Sequence, residues 1–308
     1  MENYGAHEAQ VSEGGEADLH RHLADCTKNP GHRSFIPVDE FTLDHLPESQ
    51  RDLDLCEFIK CVADLTVRVS VRITSPGRPK FWPDSTLPYP CCIKNGGHSR
   101  TGSGQIRQVL KYEHTACSCD KCKQSETASD VWWVIGIQTA THVVYDDEEA
   151  KNSNIRLFYD RKNSPLFVLD NVQVWSISVE RDLAVLKCVT CNETIAWKLE
   201  TMMTRFMDLQ KKVFDKFSGT RESHRLTFIV SHPHGCSKQI SLGRWIDKRH
   251  VDEKDYLHKL SYTTATCPGS SGATVYCVGY ISYWWVYHHV HSGAVPLGPN
   301  YSAVGFVY

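Results

Sequence analysis

A rhythm of short β-patterned segments constrains the fold most: six come before, and six after, a single helical stretch. TVRVSVRIT (66–74) alternates apolar and polar residues with the period of a half-buried strand. SGQIRQVLKY (103–112), VWWVIGIQTATHVV (131–144), NIRLFYD (154–160), NVQVWSIS (171–178) and DLAVLKC (182–188) follow, separated by turn-like segments. WKLETMMTRFMDLQKKVFDKF (197–217) then breaks the rhythm. It is rich in helix formers and sets Met202, Phe206, Leu209, Val213 and Phe217 near one face. RLTFIVSHP, KQISLGRW, LHKLSYTTAT, GATVYCVG, WWVYHHVHS and YSAVGFVY complete the second set. The pattern predicts an all-β protein of two six-stranded antiparallel barrels rather than a parallel α/β sheet.

Upstream of the strands, residues 1–30 are acidic and Gly/Ala/Glu-rich, and read as a flexible tail. Residues 31–65 form an extension. Within it, Leu53, Leu55, Phe58, Ile59, Val62 and Leu65 recur near helical spacing after Pro47, which predicts an amphipathic helix. The expected organisation is therefore tail 1–30, helical extension 31–65, first barrel 66–191, helical linker 192–223 and second barrel 224–308.

The formal net charge of −2 gives no electrostatic reason to expect nucleic acid or an anionic membrane as partner. The most apolar runs, VWWVIGI and YISYWWVYHHV, are too short to cross a bilayer as helices. The first twenty residues lack the basic start and apolar core of a secretory signal. Thirteen cysteines is a high and odd count, so at least one cannot pair within the chain. Together these predict an intracellular protein, cytoplasmic or nuclear, whose cysteines are thiols or metal ligands. HTACSCDKC sets His114, Cys117, Cys119 and Cys122 within nine residues, a set of soft ligands for a structural Zn²⁺.

TATCPGSSGATVYC (264–277) places Gly269, Ser270, Ser271 and Gly272 at the entry to a strand. Such a stretch can be a tight turn and nothing more. It can also present a serine nucleophile beside backbone N–H donors. The second reading demands a base and an orienting acid. His142 ends the third strand, and Asp182 opens the sixth, followed at once by the apolar run Leu-Ala-Val-Leu. Asp170, in a turn-like setting, is the competing acid, and His232 and His234 read as loop histidines.

Three motifs, TATH, DLAVLK and GSSGA, occur in the order His, Asp, Ser with spacings of 40 and 89 residues. On these the chain, over roughly residues 66–308, resembles the chymotrypsin-fold serine peptidases, more the intracellular, bacterial and viral members than the secreted digestive ones. The resemblance implies Ser271 as nucleophile, His142 as general base and acid, Asp182 as the residue orienting His142, and the N–H groups of Gly269 and Ser271 as oxyanion hole. It also implies a primary pocket from Thr266 and the His-x-Gly strand His291, Ser292 and Gly293 that binds Glu or Gln, with an apolar residue as the alternative. Ala265 stands where specificity for Lys or Arg would need aspartate. Ser270 replaces the aspartate that secreted relatives carry before the nucleophile, and Val143 replaces their cysteine after the histidine. By comparison with viral relatives, Cys188, Cys191 and Cys277 form a second candidate zinc set. The function these features imply is an intracellular serine endopeptidase acting on a protein or peptide through an acyl-enzyme, with no cofactor required for catalysis. The alternative is a catalytically silent fold that docks peptides.

Overall fold

In the computed structural model, which describes residues 6–13, 18–83, 85–91, 99–252, 257–280 and 288–306, two antiparallel sheets follow one another along the chain. The N-terminal part contributes strands β1 (Ala6–His7) and β2 (Gln10–Ser12), helix α1 (Leu19–Ala24), strand β3 (Ile36–Pro37) and helix α2 (Leu53–Leu65). Strand β4 (Thr66–Val71), β5 (Ser99–Glu113), the short helix α3 (Asp120–Lys123), β6 (Val131–Thr139), α4 (Asp147–Lys151), β7 (Ser153–Leu157), β8 (Phe167–Leu169), β9 (Val172–Ser178) and β10 (Leu183–Thr190) come next. Helices α5 (Glu193–Phe217) and α6 (Arg221–His224) lead to β11 (Leu226–Ser231), β12 (Gln239–Asp252), β13 (Leu257–Tyr262), β14 (Val275–Cys277), β15 (His291–Ala294), β16 (Asn300–Ser302) and β17 (Gly305–Phe306).

The first sheet runs β8-β7-β4-β5-β6-β10-β9, with β2 added on β5. The second runs β1-β15-β16-β13-β12-β11-β14, with β3 on β12 and β17 on β13. This is a two-β-domain, trypsin-like fold. Among the described residues the sheets hold eight and nine strands rather than six each. The strand expected over 301–308 is split into β16 and β17, and β8 is an extra edge. The rest comes from the N-terminal part, whose β1, β2 and β3 pair with sheet strands. Of the residues read from sequence as flexible tail, 6–7 and 10–12 thus have defined places on the sheets, and Leu19–Ala24 form a helix. The first four residues of the strand expected over 284–292 lie outside the described residues.

Helix α2 begins where Asp52 Oδ1 accepts the N–H of Leu55 at 3.0 Å, a side-chain N-cap. Its predicted apolar face is buried except Leu53, which is 70 % exposed because it sits in the first turn, ahead of the packed stripe. Phe58 projects from this helix into the middle of the molecule. Its ring lies 5.5 Å from Phe206 of α5, and 5.8 and 5.6 Å from Phe228 and Tyr276 of the second sheet. One apolar cluster therefore runs from the first sheet through both helices into the second.

Candidate active site

β6 and β10 are antiparallel neighbours, with Thr139 opposite Ala184. The residues just beyond β6 and just before β10 are thereby brought to the same sheet end, and His142 and Asp182 meet although 40 positions separate them. His142 Nδ1 lies 2.8 Å from Asp182 Oδ2 and 3.0 Å from Oδ1, and the His142 backbone N–H donates to Oδ1 at 3.0 Å. Ser292 Oγ donates to Oδ2. Burial pushes the Asp182 carboxyl up, but the His142 interactions outweigh it and hold the group at about 2. A carboxylate there fixes the proton on Nδ1 and leaves Nε2 with its lone pair. His142 Nε2 is buried and makes no hydrogen bond among the described residues.

The loop after His142 is clamped by a buried ion cluster that sequence reading missed. Arg78 Nη2 donates to the His142 carbonyl, and Arg100 Nε to that of Val143, both at 2.9 Å. Both guanidiniums bind Glu149, at 2.6 and 2.7 Å, and Glu149 also accepts the N–H groups of Ser75 and Tyr145. Burial alone would raise the Glu149 carboxyl; the two arginines reverse the direction and hold it low. Nothing in the surface-like run DDEEA (146–150) distinguishes this carboxylate, because its partners lie 71 and 49 residues away.

Ser271 sits on a turn between Gly269 and Gly272, whose φ angles of 96° and 87° belong to the left-handed half of φ space, which glycine enters at least cost. Ser270 faces inward: its Oγ is 3.1 Å from Ser231 Oγ and accepts the Cys267 N–H. Ser271 Oγ instead donates to a main-chain carbonyl, that of Glu8, at 2.7 Å. Gly269 N–H donates to the same oxygen at 3.4 Å. Ser103 of β5 stitches the turn to the first sheet, donating from N to Ser271 O and from Oγ to Gly269 O, both at 2.8 Å.

Thr266 and His291, placed together by sequence, do converge. Thr266 Oγ1 donates to Glu8 Oε2 at 3.0 Å, and His291 Nε2 lies 2.8 Å from that oxygen. Tyr262 OH is 2.7 Å from His291 Nδ1 and orients the ring. Burial lowers the His291 imidazole, and the Glu8 carboxylate works against that direction. The pocket has a cation that sequence reading did not find. Lys28 Nζ pairs with Glu8 Oε1 and donates to Thr266 Oγ1 and Asn300 Oδ1, both at 2.9 Å. The Glu8 carboxyl is raised by burial but lowered more by His291 and Lys28, to about 2. Ser292 O accepts the Glu8 N–H at 3.5 Å, and Gly293 is the strand partner of His7.

Other candidates fall elsewhere. Asp170 is exposed at the β8–β9 turn. His232 is fully buried, with Nδ1 on Cys236 O at 2.8 Å. Cys117, Cys119 and Cys122 cluster, but their fourth neighbour is Cys191 and not His114. His114 is exposed at the end of β5 with a φ of 61°. Cys188, on β10, is buried in the main core, and Cys277, on β14, belongs to the second sheet. Neither joins the thiol cluster, so each predicted zinc set is corrected.

No family model matches the chain, and no curated protein does. Solved structures similar in shape include the HtrA-type protease AlgW with decapeptide (12 % identity, TM-score 0.40, 80 % of this chain and 62 % of that one) and with tripeptide (12 %, 0.41, 80 % and 58 %). Deg5 is similar at 11 % identity and TM-score 0.41, over 84 % of this chain and 91 % of that one. The chain thus spans about three-fifths of the AlgW chains it matches. Likeness at this level concerns the shape of the two β-domains; the strand order and pairing of the sheets themselves identify the architecture as a two-β-domain, trypsin-like fold.

Proposed function

We propose that the chain is a serine endopeptidase that cuts on the carboxyl side of glutamate through an acyl-enzyme. One observation carries the reading: Ser271 Oγ and Gly269 N–H both point at one peptide carbonyl oxygen, that of Glu8, while the preceding residue His7 meets His142, whose Nδ1 is committed to Asp182 and whose Nε2 makes no hydrogen bond among the described residues. The Ser271 proton turns from the carbonyl to Nε2 of His142 as Oγ attacks the carbonyl carbon. The C–N bond then breaks, and the same proton passes from Nε2 to the leaving nitrogen. Water, deprotonated by Nε2, attacks the ester and restores Ser271. Charge on the tetrahedral oxygen is met by Gly269 N–H and the Ser271 N–H, each worth about 3 kcal/mol in the transition state.

Preference for glutamate rests on the three groups around the Glu8 carboxylate. Thr266 and His291 supply hydrogen bonds that glutamine could also accept, while Lys28 adds a charge that favours glutamate. The described cysteines are all unbridged, in keeping with a reducing compartment. Cys117, Cys119, Cys122 and Cys191 fit a structural Zn²⁺. The sulfur separations of Cys191 from Cys119 and Cys122, 3.7 and 3.6 Å, approach the ~3.8 Å edge of a tetrahedron built on ~2.3 Å Zn–S bonds.

A fluorophosphonate probe separates the enzyme from a silent peptide-docking fold. The probe is expected to label Ser271 in the wild type and not in Ser271→Ala. Absence of labelling, together with no cleavage of glutamyl reporter peptides, would end the proposal.

A further inference from the structure

The peptide in the cleft is the chain's own. β1 pairs antiparallel with β15, Ala6 opposite Ala294 and His7 opposite Gly293, and β2 pairs with β5 on the other sheet, Gln10 opposite Thr101. Between these two pairings the backbone crosses from one sheet to the other, and the crossing bond is Glu8–Ala9. The Glu8 side chain fills the pocket of Thr266, His291 and Lys28. The His7 ring stacks on Trp82 at 4.6 Å and meets the His142 ring edge-on at 5.1 Å. An extended peptide held by main-chain pairing on both sides, with one side chain anchored and the carbonyl after it on the nucleophile, is in the position of a substrate.

We infer that Glu8–Ala9 is a self-processing site, cut in cis by Ser271; this rests on the peptidase reading above. Ser271 Oγ bonds to the Glu8 carbonyl carbon, its proton passing to His142. The Glu8–Ala9 bond breaks, with that proton moving to the Ala9 nitrogen. Water then releases Glu8 as a free carboxylate and regenerates the hydroxyl. Everything N-terminal to Ala9 is detached, and the cleft opens to other peptides.

Mass spectrometry of the full chain over time tests this. A new N-terminus at Ala9 is expected, formed at a first-order rate that does not change over a hundredfold range of protein concentration. Ser271→Ala should stay whole, and Glu8→Ala should process at least tenfold more slowly. Cleavage of a glutamyl reporter with Glu8–Ala9 left intact would overturn self-processing while sparing the peptidase reading. An unchanged rate in Glu8→Ala would overturn the assignment of the bond. Neither reporter cleavage nor processing would overturn both.

A separate observation concerns the loop that carries Lys28. Cys26, His32, His234 and Cys267 each bring one ligand atom to within 4.8 Å of the others. Cys26 Sγ is 3.6 Å from Cys267 Sγ, which is 3.4 Å from His32 Nε2. These separations approach the ~3.6–3.8 Å edges of a Cys₂His₂ zinc tetrahedron. His234 is 3 % exposed; its Nδ1 faces Gln10 Oε1 at 2.8 Å, while its Nε2 has no hydrogen-bond partner among the described residues. That orphaned nitrogen is the second sign of a missing ligand. The structure assigns a Cys₂His₂ zinc site here, pinning the Cys26–His32 loop against the second sheet so that Lys28 stays in the pocket.

Elemental analysis of protein purified anaerobically without chelator should find two zinc ions per chain, one removed by Cys26→Ser with His32→Ala and the other by Cys191→Ser. A single zinc that survives the first pair of changes, or a Cys26–Cys267 disulfide in the anaerobic sample, would overturn the assignment.

Discussion

On one side of the cleft, His142 is held by residues of the first β-domain: Asp182 on its ring, and Arg78, Arg100 and Glu149 on the loop behind it. On the other side, the glutamate pocket is unfinished without a distant segment. Thr266 and His291 belong to the second β-domain, but Lys28, 238 residues from Thr266, supplies the charge. The His142–Asp182 pair is held mainly by the first β-domain, with Ser292 of the second donating to Asp182, while the proposed recognition half borrows Lys28 from the N-terminal part. The two halves can therefore fail separately: chemistry can be lost with recognition intact, and selectivity can be lost with chemistry intact.

The sharpest break is at the junction. Ser271→Ala should lower kcat by about 10⁶ while leaving the thermal midpoint near that of the wild type, because it removes one oxygen from a turn. Single-turnover assays with a glutamyl peptide would read this, and activity within tenfold of the wild type would defeat the assignment. Asp182→Asn attacks the first half alone. It should cost about 10⁴ in kcat, with little change in KM, through the wrong imidazole tautomer.

Glu149→Gln removes the charge that two buried arginines share, and should destabilise the fold by about 3–5 kcal/mol in urea titrations. A loss below ~1 kcal/mol would mean that the clamp behind His142 is incidental. Lys28→Met addresses the second half. It should reduce kcat/KM for glutamyl substrates about ten- to a hundredfold, and that for glutaminyl substrates far less, leaving fluorophosphonate labelling intact. Equal losses on both substrates would place Lys28 outside the recognition half.

The smallest effect is a pH dependence. Asp182 has its carboxyl lowered from 3.8 to about 2 in the folded chain. A depressed folded value stabilises the native state above the unfolded pKa, and that stabilisation is lost as pH falls from about 4 to about 2. Between pH 5 and 2.5 the wild type should therefore lose about 2 kcal/mol more stability than Asp182→Asn, as compared by urea midpoints.

What could be read from the sequence divides along the same line. His142 follows, and Asp182 precedes, a strand marked by a continuous apolar run, and the Ser271 turn is marked by its glycines, so all three are legible in local pattern. Lys28 and Glu8 sit in short polar runs without periodicity. Their significance comes from side-chain contacts with Thr266, His291 and Asn300, 238 to 283 residues away, which no local window contains. The cysteines show the same limit. His114 shares a nine-residue window with three cysteines, yet the fourth member of that group is Cys191, delivered by the end of β10 alongside β6. The exposure of Leu53 is a finer case, since helical spacing cannot say where along a stripe packing begins.

The stitching of the nucleophile turn to β5 bears on motion. Ser103 binds Ser271 and Gly269, Thr139 Oγ1 donates to Ser103 O at 2.7 Å, and Gln138 Nε2 donates to His288 O at 2.8 Å. Gly272 lies so close to this seam that a Cβ would run into Thr139 Oγ1 and Ser103 O. Sheets joined in this way cannot hinge apart to admit a peptide without breaking bonds at the reacting centre itself. In the proposed peptidase, access for another peptide would instead come by release of the occupying segment from β15 and β5, a strand exchange that leaves the seam between the sheets in place.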